Sequence, residues 1–177
     1  DARRQVLEMV PDWVAQVLAA APQVLRASER YRYAESCVVI GRGYNYATAF
    51  EIALKIKELT YVLAEPYSSA DFQHGPVALV ERGFPVIAVV PQGRVEAELV
   101  DFVGRLQARE AELIVISAVE RVLSGAQTRL MLPASIPEWV SPLVAVVPGQ
   151  LFALGLTLAK GLAPDHPRGL RKVTRTR

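Results

Sequence analysis

Cysteine and histidine are scarce in this sequence, with one Cys and two His among 177 residues. A lone thiol, Cys37, cannot close an internal disulfide, so a reducing compartment, the cytoplasm, is expected. Cys37 sits in the apolar run Cys37-Val38-Val39-Ile40, which reads as a buried strand position rather than a nucleophile. His74 and His166 lack the clustered carboxylates or thiolates that would complete a metal site, so no metal is expected. Charge of one sign is lacking too. The chain carries 20 Lys and Arg against 18 Asp and Glu, a formal net charge of +2, which implies no strongly charged partner. The one local bias is the basic end: Arg168, Arg171, Lys172, Arg175 and Arg177. No aromatic residues interleave with those charges, so no nucleic-acid partner is expected. The longest apolar stretch, near 143–158, is interrupted by Pro148, Gly149 and Gln150, so neither a membrane span nor a secretory leader is expected. Repeats, linkers and low-complexity segments are missing as well.

The chain begins at Asp1 rather than Met and is expected to be a piece of something longer. At 51% apolar and 21% charged residues, it has the balance of one soluble globular domain. Val6, Leu7, Val10, Val14, Val17 and Leu18 recur at helical spacing, with Pro11 tolerable at a first helical turn. Pro22 opens a second helix to about Tyr31. Residues 36–40 form a short β-branched run ended by Gly41-Arg42-Gly43, a buried strand and a tight turn. A helix over 46–60 follows. The alternation then repeats: strand 85–90, helix 95–109, strand 113–117, short helix 118–125, strands 129–132 and 143–147, and a closing helix 150–162. Strands separated by helices imply parallel pairing. The expected fold is a three-layer α/β/α sandwich around a five-stranded, mostly parallel, doubly wound sheet of flavodoxin-like type. Leading helices occupy 1–34, the core 35–162, and an irregular basic tail 163–177.

Three stretches could carry chemistry. In Gly41–Glu58, the helical residues Glu51, Lys55 and Glu58 share one face, and Ala49, Ile52, Ala53 and Ile56 the other. A solvated ion pair would have that spacing too. Against it, the helix follows a strand and a glycine turn, and open α/β folds bind ligands at the carboxyl edge of the sheet. The Gly41-Arg42-Gly43 turn could present free N–H groups to an anion, although it brings few hydroxyls. The second stretch, 64–76, is dense in turn residues. Ser68 or Ser69 could cap a short helix ending near His74, whose position before Gly75-Pro76 suits an accessible proton-transfer group. In the third, 165–174, Lys172 stands beside Arg171, a neighbour that favours an amine nucleophile.

Taken together, Gly-Arg-Gly with Ala-Leu-Lys-Ile-Lys-Glu, Ala-Glu-Pro-Tyr with His-Gly-Pro, and Pro-Arg-Gly-Leu-Arg-Lys resemble the sugar-isomerase (SIS) domain family. Within it they are similar to the second SIS domain of glucosamine-6-phosphate synthases and related deaminases. The resemblance covers nearly the whole chain. It implies interconversion of ketose and aldose phosphates of the fructose 6-phosphate and glucosamine 6-phosphate class, with amino transfer or deamination, and no cofactor. Carried over by position, Glu58 shuttles a proton between C1 and C2. Lys172 forms a Schiff base with the open sugar, and His74 assists ring opening from the neighbouring subunit. Lys55 orients Glu58 or the sugar, Glu51 holds Lys55, and Gly41, Arg42 and Gly43 are supporting positions. A homodimer or a second SIS domain is implied as partner. Some features depart from the synthases. Neither the Ser/Thr-rich phosphate loop nor a glutaminase with an N-terminal Cys is found. Asp71 and Gln73 stand where Glu and Lys are common, and the tail is closer to the deaminase branch. SIS domains also serve as non-catalytic sugar-phosphate sensors; retention of Glu58, His74 and Lys172 together favours an enzyme.

Overall fold

The structure, a computed structural model, describes residues 2–169. Three short helices lead: α1 (Ala2–Glu8), α2 (Val10–Ala19) and α3 (Ala21–Ser28). Then come β1 (Ser36–Gly41), α4 (Asn45–Thr60), β2 (Leu63–Ser68), α5 (Ser69–Gln73), β3 (Pro85–Val90) and α6 (Glu96–Ala108). The chain closes with β4 (Glu112–Ser117), α7 (Glu120–Leu123), β5 (Thr128–Met131) and α8 (Ser141–Ala159). All strand pairs are parallel, in the order β2-β1-β3-β4-β5. That is the doubly wound order expected of alternating strands and helices.

Two apolar layers cover the sheet, and strand alternation sorts residues between them. Cys37 and Val39 of β1 face a cluster built from Trp13, Val24, Ala49, Ile52, Ile56, Phe152 and Leu156. Val38 and Ile40 face the opposite cluster, with Phe72, Leu99, Phe102 and Leu106. Helices α2, α3, α4 and α8 therefore lie on one face, and α5, α6 and α7 on the other. The proline-initiated first turns of α2 and α3 follow the expected pattern. Val38 pairs with Glu65 and Val86 on either side, so β1 is a central strand buried on both faces.

Two expectations are corrected. Residues 143–147 are not a strand but the first half of α8, which runs unbroken through Pro148. A proline removes one helical hydrogen bond, yet α8 packs along α2, α3 and α4, and that packing holds it together. By length and apolarity alone α8 could cross a membrane, but half of that stretch is buried within this fold. The fifth strand is instead β2, which overlaps the start of the stretch read from sequence as turns. It is an edge strand, where Pro66 is tolerated because its missing N–H faces away from the ladder.

Candidate functional site

Helix α4 carries a charged constellation on its outer face. Its core face is fully buried at Ala49, Ile52, Ala53 and Ile56, which turns Glu51, Lys55 and Glu58 outward together. The Lys55 Nζ donates to Glu58 Oε2 at 2.8 Å and stands 4.0 Å from Glu51 Oε1. Glu51 Oε1 also accepts from Gln150 Nε2 of α8 at 3.3 Å. The hydrogen bond to Glu58 pushes the Lys55 amine above its ordinary pKa, with the charges of Glu58 and Glu51 adding to it and burial opposing it. Lys55 is therefore a fixed ammonium near neutral pH. It can orient a carboxylate or a sugar hydroxyl, but it is no free amine nucleophile.

The other positions singled out from sequence divide between the two edges of the sheet. Gly41, Arg42 and Gly43 form the turn at the carboxyl edge, before the first turn of α4. Gly41 must be glycine, because a Cβ there would lie 2.2 Å from the Asn45 carbonyl oxygen. Gly43 adopts φ +58°. Arg42 Nε lies 3.5 Å from Glu98 Oε2, and Ser69 Oγ donates to Glu98 Oε1 at 2.7 Å. Glu58 lies at the other end of the helix, about 20 Å of helix rise beyond Asn45. The link between this helix and the ligand-binding carboxyl edge thus holds for its first turn only: the helix starts there and carries Glu58 away from it.

His74 also belongs to the carboxyl edge. It follows α5, which starts where β2 ends, and it is exposed. Ser68 caps α5 as expected, its Oγ accepting the Asp71 N–H at 3.1 Å. Glu58 precedes the amino end of β2, so a strand length, roughly 20 Å, separates it from His74 within one chain. Lys172 lies outside the described residues. The root of its tail does not. Tyr61 ends α4 in the left-handed conformation, φ 60°, and its Oη accepts the Arg168 N–H at 2.7 Å. The Arg168 guanidinium lies over the Tyr61 ring, 3.8 Å from its centroid. That N–H draws the Tyr61 phenol below its usual pKa, with desolvation opposing it and the guanidinium adding to it. The tail root is thus held three residues past Glu58 on the chain, at the amino edge.

Sequence reading missed Tyr61 and a polar chain at the carboxyl edge. Thr48 Oγ1 donates to Asn45 Oδ1 at 3.0 Å, Asn45 Nδ2 to Ser141 Oγ at 2.7 Å, and Ser141 Oγ to the Glu138 carbonyl at 2.7 Å. Asn45 is fully buried, and a buried amide requires such partners. An asparagine opening a helix after a glycine turn was the only available signal. Beside α4, a groove of about 530 Å³ is lined by Phe50, Glu51, Leu54, Lys57 and Glu65 among others. Among the described residues, no group of three or more His, Cys, Asp or Glu side chains could hold a metal ion.

The SIS domain family matches residues 31–160. A glutamine–fructose-6-phosphate aminotransferase (isomerizing) of Aquifex aeolicus is 34% identical over 170 residues, covering 95% of this chain and 28% of that protein. The chain thus spans under a third of that relative. The C-terminal domain of glucosamine-fructose-6-phosphate aminotransferase from Francisella tularensis superposes with TM-score 0.82 at 30% identity, covering 89% of this chain and 44% of that one. Tagatose-6-phosphate ketose/aldose isomerase from Escherichia coli superposes at TM-score 0.75 and 27% identity, covering 88% and 44%. A five-stranded parallel sheet in this order, with the family match spanning the whole sheet, places the chain in the SIS domain family.

Proposed function

We propose that this chain is the acid–base half of a sugar-phosphate isomerase site of the fructose 6-phosphate and glucosamine 6-phosphate class. The observation that carries the proposal is the Glu51–Lys55–Glu58 array, on the same sheet edge as the Tyr61–Arg168 anchor of the tail. From Arg168 the chain needs about 14 Å at most to reach Lys172. In this reading the Lys172 amine attacks the open sugar's carbonyl and water leaves, giving a Schiff base that makes the adjacent C–H acidic. Glu58, held by Lys55, takes that proton from one carbon and returns it to the other. His74 opens the sugar ring in the site of a second copy, because it lies a strand length from Glu58 in its own chain. A second SIS domain holds the phosphate. The names of the aminotransferase and ketose/aldose isomerase relatives agree with this class of substrate.

The test is borohydride trapping with fructose 6-phosphate, followed by peptide mass analysis. It is run on the 177-residue chain and on a longer protein that joins it to a second SIS domain. An adduct on Lys172 in the longer protein, abolished with isomerisation by Lys172→Arg, supports the reading. Glu58→Gln should keep the adduct and lose isomerisation. No adduct in either protein would overturn the enzymatic reading in favour of a sugar-phosphate-binding regulatory module.

A further inference from the structure

Open parallel sheets bind ligands outside the carboxyl ends of the strands, where the strand order reverses. Here that switch point lies between β1 and β3, bordered by the Gly41–Gly43 turn and the turn that follows β3. Glu138, from the connection between β5 and α8, extends its side chain between the two turns. Its Oε2 accepts the Arg94 N–H at 2.7 Å. A Cβ at Gly93 would meet that oxygen at 2.5 Å, and a Cβ at Gly43 would lie 3.6 Å from Oε1. Both turns therefore close around the carboxylate, with positive φ at each glycine, +58° and +133°. Two further bonds fix the connection that carries it. Ser135 N–H donates to Gln92 Oε1 at 3.0 Å, and Ser141 Oγ donates to the Glu138 carbonyl.

We propose that Glu138 is a built-in anion that closes this domain's switch-point crevice to phosphate. A carboxylate oxygen accepting a backbone N–H takes the place a phosphate oxygen would otherwise occupy. A second anion arriving there loses that donor and meets like charge. The inference rests on the proposed function only in naming a sugar phosphate as the excluded ligand. It supplies a physical reason why the phosphate of that reaction is held by another domain, and why this glycine turn manages without hydroxyls.

The test is a titration of the 177-residue chain with inorganic phosphate, against chloride at equal ionic strength. The amide resonances of Gly43, Gly93 and Arg94 are followed by NMR. The wild-type amides should stay put through 10 mM phosphate. Glu138→Ala frees the Arg94 N–H, while the Gly93 N–H keeps its 3.3 Å bond to Glu96 Oε2; it should shift Gly43 and Arg94 saturably, at least tenfold more tightly than any wild-type response. Glu138→Gln, which keeps the bulk and an acceptor for Arg94, should stay silent. If Glu138→Ala does not fold, Glu138→Ser serves in its place. A folded Ala or Ser variant with no shifts, or a wild type that responds as strongly, would overturn the proposal. This titration reads the carboxyl edge alone, so its failure leaves the Lys172 trapping result untouched, and the reverse also holds.

Discussion

Replacing Gly149 by alanine tests how α4 is held. A Cβ built at Gly149 would lie 2.3 Å from Ile52 Cδ1 and 2.4 Å from its Cγ1. Carbon–carbon contacts settle near 3.5–4.0 Å, so more than about 1 Å of movement is needed. Ile52 is fully buried and β-branched, with one strongly preferred helical rotamer. It cannot swing away, so α4 and α8 must part. Such overpacking costs about 1–3 kcal/mol, and two contacts this short put it in the upper half of that range. Alanine's better helix propensity returns about 1 kcal/mol, leaving a net loss of roughly 1–2 kcal/mol. Gly104 in α6 is the control, because a Cβ there meets nothing within 4 Å. Gly104→Ala should therefore stabilise by about 0.5–1 kcal/mol. At about 2–4 °C per kcal/mol for a chain of this size, the two variants should melt roughly 3–12 °C apart. Urea unfolding followed by circular dichroism supplies the free energies. In an Ile52→Ala background, which removes the obstructing carbons, Gly149→Ala should become neutral or stabilising. The reasoning fails if Gly149→Ala stabilises as Gly104→Ala does, or if Ile52→Ala leaves its effect unchanged.

Alkaline stability should turn on Tyr31. It is 1% exposed, and burial, partly offset by its 2.7 Å hydrogen bond with Thr128, raises the phenol to about 12. An unfolded tyrosine loses its proton near 10, so the folded chain keeps a proton the unfolded chain has given up. Stability from this group is complete below about pH 10 and is lost as pH rises toward 12, a decline of roughly 2–3 kcal/mol. Urea midpoints between pH 8 and 11.5 should show it. Tyr31→Phe should flatten the decline, at a cost of about 1 kcal/mol at neutral pH for the unpaired Thr128 hydroxyl. Cys37, 6% exposed with its thiol raised to about 12 by burial, should ignore a thiol reagent in native buffer and react on unfolding. Rapid native labelling would contradict the strand assignment of that segment.

Strands β1 and β3 were legible because their β-branched runs end at glycine or proline: Ile40 before Gly41, Val90 before Pro91. The error at 143–147 has a definite cause. Leu143 to Val147 is apolar without interruption, and a buried helix segment and a buried strand look alike when no polar face marks the period. Pro148 and Gly149 then suggested a break, whereas Gly149 is there for the close approach of Ile52. Edge strand β2 was hidden by the opposite problem, since Glu65 and Pro66 carry turn-like chemistry on a strand with one open side. At the site, Glu51, Lys55 and Glu58 were readable because helical spacing alone brings them together. The ties between Tyr61 and Arg168 and between Arg94 and Glu138 join residues 107 and 44 positions apart. No local pattern encodes such pairs. The division of the site between two sheet edges follows from the direction of α4, which spacing within the helix does not reveal.

That division bears on what the α4 array can do alone. The Lys55 and Glu58 side chains are each about a third exposed, at 33% and 30%. An ion pair so open to water contributes well under 1 kcal/mol to stability, and water at its edges screens whatever charge develops on a substrate. Proton transfer from carbon gains most when the site is closed to solvent. This chain offers the charged groups but leaves them beside open apolar surface: Phe50 is 50% exposed, Leu54 43% and Leu63 59%. Under the proposed reading, a second surface that covers those side chains also dries the pair, so one docking event would both hold the phosphate and strengthen Lys55's grip on Glu58. Activity should then depend on that covering surface far more than the stability of the isolated chain does. A single domain that folds well and catalyses poorly would be the expected behaviour of a half-site of this kind.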